Sequence, residues 1–172
     1  GFVDPLFSTG IAYSLAGIER IVHILSLNRH FDRSLYDRLQ EYERAVFEEL
    51  DLIDLLVSGC YRTTAHFQLF NAWSMLYFAF TVLHEQRRLK KQVAGMAGQP
   101  DGYFLEADDP RVVKIARDTY KDLLKITGQK QISREDADEF TGLVRARIQP
   151  FNTAGLLNPD ARNMYYHTAV EL

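Results

Sequence analysis

The residues most suited to chemistry lie in the string GFVDPLFSTGI, which occupies positions 1–11. An extended apolar piece turns at Asp4-Pro5 and enters a helix at Ser8-Thr9-Gly10. The first N–H groups of a helix have no partner inside the helix, and they carry about half a positive charge. Gly10 removes the side chain that would keep a ligand away from those groups. The string therefore predicts a site for an anion or an electron-rich carbonyl.

The physics of this string leaves two interpretations open. A reduced flavin is one fitting ligand, because the pyrimidine edge of its ring gains negative charge on reduction. A capped helix that follows a turn and binds nothing has the same residues at its start.

Helical periodicity dominates the chain and predicts the elements that carry this site. A first helix is expected from about Ser8 to Leu27, with Ser8 or Thr9 as its N-cap. A second helix is expected from about Asp32 to Cys60, and its long apolar stripe suits either packing inside the molecule or a seam between two copies. The apolar face of the first helix consists of Ile11, Leu15, Ile18, Val22 and Leu25. The stripe of the second helix includes Leu39, Val46, Ile53 and Cys60.

A third helix is expected from about Thr64 to Val93, aromatic in its first half and charged in its second. Residues 63–83 contain no Asp, Glu, Lys or Arg, a length that could span a bilayer. Polar residues interrupt this run, so we expect a buried central helix and no membrane span. Four of its aromatic residues are candidates for a substrate pocket, although aromatic residues at helical spacing more often fill the core: Phe67, Phe70, Trp73 and Tyr77.

Two shorter helices and a tail complete the predicted fold. Asp109-Pro110 predicts a capped helix start, and Gly128 predicts its end. Ser133, followed by acidic residues, opens the next helix. Asn158-Pro159 predicts a short helix through Tyr165-Tyr166. No stretch alternates as a strand does, so the expected class is all-α: about five to six helices bundled around the aromatic third helix.

Composition and charge exclude several classes of function. The chain has 23 acidic and 20 basic residues. It therefore has no excess of positive charge that would attract a polyanion, and nucleic-acid binding is not expected. Cys60 is the only cysteine, so a disulfide within the chain is impossible and a reducing, cytoplasmic compartment is expected. His84-Glu85 is half of a zinc motif, but Arg88 stands where the second histidine belongs, so no metal site is expected.

The opening string resembles the flavin-contacting motif of FAD-dependent halogenases and related flavin monooxygenases, the tryptophan-halogenase-like part of the NAD(P)/FAD-dependent oxidoreductase superfamily. In that family a Gly-Asp-Ala stretch precedes Phe-x-Asp-Pro-x-x-Ser-x-Gly-[Ile/Val] and a helix. Segments 67–77 and 152–156 resemble the substrate-side helical region of the same family. The residues that match the motif are Phe2, Asp4, Pro5, Ser8, Gly10 and Ile11.

The resemblance implies that the chain start contacts FAD, with its backbone facing the isoalloxazine ring. It further implies that N–H groups at Thr9-Gly10 hold a halide beside the flavin. The residues implied to contact the cofactor are Asp4, Pro5, Ser8, Thr9, Gly10 and Ile11.

The same resemblance implies that residues 1–172 are one helical, substrate-side C-terminal region of a larger α/β flavoprotein. No G-x-G-x-x-G occurs in the chain, so the FAD-binding Rossmann part is expected upstream, as the main partner. The catalytic residues would lie there too, and the isolated chain is expected to be inactive and to bind FAD weakly or not at all.

Other implied partners are a small aromatic or apolar organic substrate and a flavin reductase or NAD(P)H. Halogenation, hydroxylation and reduction remain alternatives. A different hypothesis makes the chain an autonomous helical interaction or dimerisation module without catalysis, joined through the Leu39, Val46 and Ile53 stripe.

Overall fold

The computed structural model describes residues 6–27, 32–95 and 102–160, and within these ranges it contains helices and no strand. The all-α prediction is confirmed. Three short 3-10 segments accompany the helices, and the tail helix predicted through Tyr165-Tyr166 lies outside the described residues. The five helices are α1 Thr9–Leu27, α2 Arg33–Thr63, α3 Phe67–Val93, α4 Pro110–Thr127 and α5 Arg134–Ile148.

Local capping chemistry sets most of the helix boundaries. Asp32 accepts a hydrogen bond from the Leu35 amide at the start of α2. Asp109, followed by Pro110, caps α4 in the predicted way. Ser133 and Asp136 form a reciprocal capping box at α5, so two orphan amides there are satisfied.

The boundary between α2 and α3 lies later than the sequence predicted. The α2 helix continues to Thr63 instead of ending at Cys60, and α3 begins at Phe67 instead of Thr64. The Thr63 hydroxyl donates to carbonyls of the last turn of α2, and the His66 amide bonds to the Thr63 carbonyl. These bonds close the final turn and reverse the chain before α3 begins.

The α3 helix is the centre of the core, packed between α2 and α5. Trp73 has no exposed surface, and its indole N–H donates to the Leu56 carbonyl at 2.7 Å. Gly59 makes this packing possible, because a Cβ there would lie 2.0 Å from the Trp73 ring. The uncharged run was expected to be a buried central helix, and most of its residues in α3 are buried in the middle of the bundle.

The stripe on α2 is used inside the molecule for much of its length. Ile53 and Cys60 are each 1% exposed and belong to the core. Val46 is half-buried, and its carbonyl accepts the Tyr13 hydroxyl at 3.2 Å. A seam between two copies through Ile53 would need this core to open, so the dimerisation hypothesis is not favoured.

The α1 helix packs on α2 with the face opposite to its apolar stripe. Thr9, Arg20 and Ile24 are its buried residues, and they lie on the side that faces Glu49 of α2. Thr9 is the first helical residue, and its hydroxyl donates to the Leu6 carbonyl instead of accepting as an N-cap. The predicted apolar face is exposed throughout: Ile11 66%, Leu15 62%, Ile18 57%, Val22 57% and Leu25 48%.

The segment Leu6–Leu27 is long and apolar enough to cross a membrane, by length and composition alone. Only 11% of its apolar window is buried. Arg20, near its middle, is instead buried and paired with Glu49, which ties the helix to the bundle.

Candidate functional site

The turn that leads into α1 has an unusual backbone. Leu6–Ser8 form a 3-10 turn in which Phe7 and Ser8 have φ of 58° and 56°. Residues with a Cβ rarely adopt this left-handed region, which costs roughly 1–2 kcal/mol per residue. Such conformations persist where surrounding contacts hold them, and they cluster at binding and active sites.

Aromatic packing holds this turn against the central helix. The Phe7 ring stacks on Tyr77 with centroids 4.8 Å apart. The Phe7 and Phe78 rings pack edge to face, with centroids 5.1 Å apart. The described end of the candidate flavin motif, residues 6–11, therefore lies beside the aromatic helix, a contact that the sequence alone did not predict.

The predicted cofactor residues differ in their accessibility. Thr9 is fully buried, Gly10 is half-buried, and Ser8 and Ile11 are exposed. Asp4 and Pro5 lie outside the described residues. The start of α1 thus has a surface at Ser8 and Gly10, while the Thr9 side chain faces inward.

The four candidate pocket aromatics do not gather at one place. Phe67 is 81% exposed at the start of α3, whereas Trp73 is fully buried against α2 and lies 5.7 Å from the Tyr120 ring. Tyr77 is 7% exposed and contacts Phe7. Phe67 and Tyr77 are ten residues apart, about 15 Å along the helix. Of the four, Tyr77 is the one brought to the turn.

A buried ion pair joins α1 to α2. The Arg20 Nη2 atom donates to Glu49 Oε1 at 2.6 Å, and the Phe104 amide donates to the same oxygen at 2.6 Å. Burial, and secondarily the Glu49 charge, raise the pKa of Tyr13 to about 12. Sequence analysis did not predict this cluster. The available signal was Arg20, a charged residue that shares the inward face of α1 with Ala16 and Ile24.

A second buried carboxylate anchors the segment that precedes α4. Glu106 accepts from Arg87 and forms a hydrogen bond with His84 Nδ1 at 3.2 Å. Leu105 and Glu106 have φ of 57° and 59°, so the segment holds a second left-handed turn. Among the described residues, no group of three or more His, Cys, Asp or Glu side chains is placed to bind a metal.

Comparison with known proteins adds one relative. The chain is similar to a halogenase. It is 26% identical over 156 residues to monodechloroaminopyrrolnitrin halogenase PrnC of Pseudomonas fluorescens, and the match covers 86% of this chain but 28% of that protein. No family model matches the chain, and no solved structure matches it. The likeness supports a relation to halogenases, and the chain spans little more than a quarter of the length of this relative.

Proposed function

We propose that this chain is the helical, substrate-side part of an FAD-dependent halogenase or monooxygenase that acts in the cytoplasm on an aromatic or apolar organic substrate. Its role is to present the start of α1 to the flavin ring. The observation that carries the proposal is the motif at positions 2–11, which ends in a left-handed turn at Phe7-Ser8 and a half-buried Gly10 at the start of a 19-residue helix.

The geometry of the turn is compatible with a flavin at this place. Phe7 is held aside by Tyr77, and no side chain extends from Gly10. Backbone N–H groups at the start of α1 would hold an electron-rich edge by hydrogen bonds and by the helix dipole. FAD, when bound, supplies the electron transfer. The chain positions the flavin ring and forms one wall of the substrate pocket.

The exposed stripe of α1 supports docking to an FAD-binding domain of the same protein. Five large apolar residues on one helix face form a contiguous patch of the kind that marks an interface. A bilayer is the competing occupant. We favour the protein domain over a bilayer that α1 would span, because a helix that is bonded to α2 through Arg20 and Glu49 would have to break a buried pair to leave the bundle.

The test is a matched pair of glycine variants in the full-length protein that contains this chain. Gly10→Leu places a side chain where the flavin edge is proposed, so we expect lower flavin occupancy and about a hundredfold lower turnover, as when reacting groups are misplaced. Gly142→Leu on α5 is the control, because a Cβ there meets nothing within 4 Å.

Flavin absorbance, turnover with the flavin reductant, and circular dichroism would be measured for both variants. Unchanged occupancy and turnover in Gly10→Leu, with the fold retained, would refute the assigned role. A liposome flotation assay of the full-length protein distinguishes a protein domain from a bilayer as the partner of α1, since the protein would float with the liposomes only if it binds the membrane.

A further inference from the structure

The rings of Phe7, Tyr77 and Phe78 form a cluster at the turn that leads into α1. The Phe7 and Tyr77 rings are nearly parallel, with an interplanar angle of 21° and centroids 4.8 Å apart. Phe78 packs edge to face on both of the other rings, with centroids 5.1 Å from Phe7 and 5.6 Å from Tyr77. Aromatic pairs in these geometries stabilise a fold by more than the area that they bury. The cluster therefore attaches the turn to α3.

The turn needs such an attachment because its backbone is strained. Phe7 and Ser8 have φ of 58° and 56°, in the left-handed region that is unfavourable for residues with a Cβ. Strained backbone of this kind persists only where the surrounding structure holds it. The hydrogen bond from the Thr9 hydroxyl to the Leu6 carbonyl, 3.0 Å long, is local to the segment. The contact that ties the strained residues to the rest of the molecule is the Phe7 ring on α3.

Tyr77 is the member of the cluster that is best placed to hold the others. It is 7% exposed, so it has little free surface with which to line a substrate pocket, whereas Phe78 is half-buried. Its neighbours on α3, Leu76 and Phe80, have no exposed surface. A ring fixed in the middle of the core is a rigid support, since core side chains are closely packed. The burial of Tyr77 therefore indicates a supporting role.

We propose that Tyr77 is a positioning residue for the flavin site. Its ring holds Phe7, and through Phe7 the left-handed turn, so that the first N–H groups of α1 keep their direction. This inference rests on the proposed function, in which those N–H groups face the flavin ring. They stabilise negative charge, and the flavin ring gains negative charge on reduction. The geometry of the turn therefore sets how strongly the site prefers reduced flavin to oxidised flavin.

NMR of the 172-residue chain tests the support of the turn without any flavin, because the Cα and Cβ chemical shifts of Phe7 and Ser8 report their backbone angles. Tyr77→Leu removes the supporting ring and should move these shifts away from left-handed values. Tyr77→Phe keeps the ring and should leave them unchanged. Phe80→Leu is the matched control, since Phe80 is a fully buried ring on the same helix that packs on Phe151.

The midpoint potential of the flavin tests the effect on the site, in a longer protein that includes the proposed FAD-binding domain. Tyr77→Leu should weaken the binding of reduced flavin relative to oxidised flavin by about threefold or more, the size of a charge interaction with a helix N-terminus. The potential should then become more negative. Tyr77→Phe should restore the wild-type potential, and Phe80→Leu should retain it, because a general loss of stability does not change this ratio.

A second variant covers the case in which Tyr77→Leu does not fold. Phe7→Leu removes the other ring of the same stack from a half-buried position, and it takes the place of Tyr77→Leu in both measurements. Circular dichroism verifies the fold of every variant.

Three results would overturn the inference, and they separate it from the proposed function. Unchanged Phe7 and Ser8 shifts in folded Tyr77→Leu would show that Tyr77 does not hold the turn, and the proposed function would stand. Altered shifts in Tyr77→Phe would assign the effect to the hydroxyl and not to stacking. Altered shifts in Tyr77→Leu with an unchanged flavin potential would show that the turn does not act on the flavin, and the proposed function would fail as well.

Discussion

Helices α3 and α1 both carry apolar residues at helical spacing, yet one set is buried and the other faces outward. On α3, Leu69, Trp73 and Phe80 have no exposed surface. On α1, Ile11 and Leu15 are each more than 60% exposed. Periodicity reports which residues share a face, but it does not report whether the partner of that face lies in the same chain.

The α2 helix explains why the two helices differ. It offers α3 a groove at Gly59, which the Trp73 ring fills. Towards α1 it offers a carboxylate, Glu49, which is 1% exposed. A buried charge needs a partner of opposite sign, and the inward face of α1 supplies it in Arg20. The polar face of α1 is therefore directed inward, and its apolar stripe is left outside.

The largest expected effect comes from removing the charge that orients α1. Glu49→Gln keeps the shape and leaves the Arg20 guanidinium buried without its counter-ion. Breaking a buried pair in this way costs about 3–5 kcal/mol, so we expect a loss near the lower end of that range in the free energy of unfolding. Urea denaturation followed by circular dichroism measures it.

Glu43→Gln is the control, because Glu43 is exposed on the same helix. A surface change of this kind should alter stability by less than about 0.5 kcal/mol. Equal stability of the two variants would mean that α1 is not held by the ion pair, and the explanation of its orientation would be wrong.

The next effect probes the α2–α3 contact. Gly59→Ala places a methyl group 2.0 Å from the Trp73 ring position, so the indole or the helix must move. Overpacking of this kind costs about 1–3 kcal/mol. Gly142→Ala, which meets open space, should be neutral or slightly stabilising, because alanine favours helix more than glycine does. Tryptophan fluorescence should shift in the Gly59 variant alone, and an unshifted spectrum with native stability would contradict this packing.

Sequence captured those parts of the fold that depend on local chemistry. The caps at Asp109-Pro110 and Ser133 were predicted because a cap needs only its own neighbours along the chain. The orientation of α1 was missed because the apolar stripe is the stronger pattern. The deciding contact joins Arg20 to Glu49, twenty-nine residues away.

The candidate site was predicted in part for the same reason. The helix start at Ser8-Thr9-Gly10 is a local pattern and lies where it was expected. Its contact with Tyr77 through Phe7 depends on tertiary packing, and so does the separation of Phe67 from Trp73. The left-handed turns at Phe7 and Leu105 have no glycine to announce them, so no sequence signal could have found them.

A smaller, pH-dependent effect is expected at the N-cap of α4. The Arg111 side chain, bonded to Asp109, holds the pKa of that carboxyl at about 2, below its usual 3.8. A lowered pKa means that the carboxylate stabilises the fold above about pH 3.8, and that this stabilisation is lost as the pH falls towards 2. Its size should be below about 1 kcal/mol, because Arg111 is exposed to solvent.

Asp109→Asn isolates this charge, since asparagine can still cap the helix. The wild-type Tm should exceed the variant Tm at about pH 5.5, and the difference should shrink towards about pH 2.5. Asp37→Asn, in an exposed pair with Arg33, serves as the reference. A difference that stays constant over this range would show that the Asp109 charge does not act in the predicted way.

The smallest expected effect bears most directly on the contrast between the two helices. Leu15→Gln with Ile18→Gln should change the unfolding free energy of the isolated chain by less than about 1 kcal/mol, because both side chains are exposed. Leu76→Gln on α3 is the same change of residue type at a position with no exposed surface, and it should cost several-fold more. If the α1 double variant is destabilised as much as Leu76→Gln, the stripe is buried in solution and the contrast fails. If it is neutral in this chain but weakens a longer protein that includes the proposed FAD-binding domain, the stripe of α1 docks on that domain.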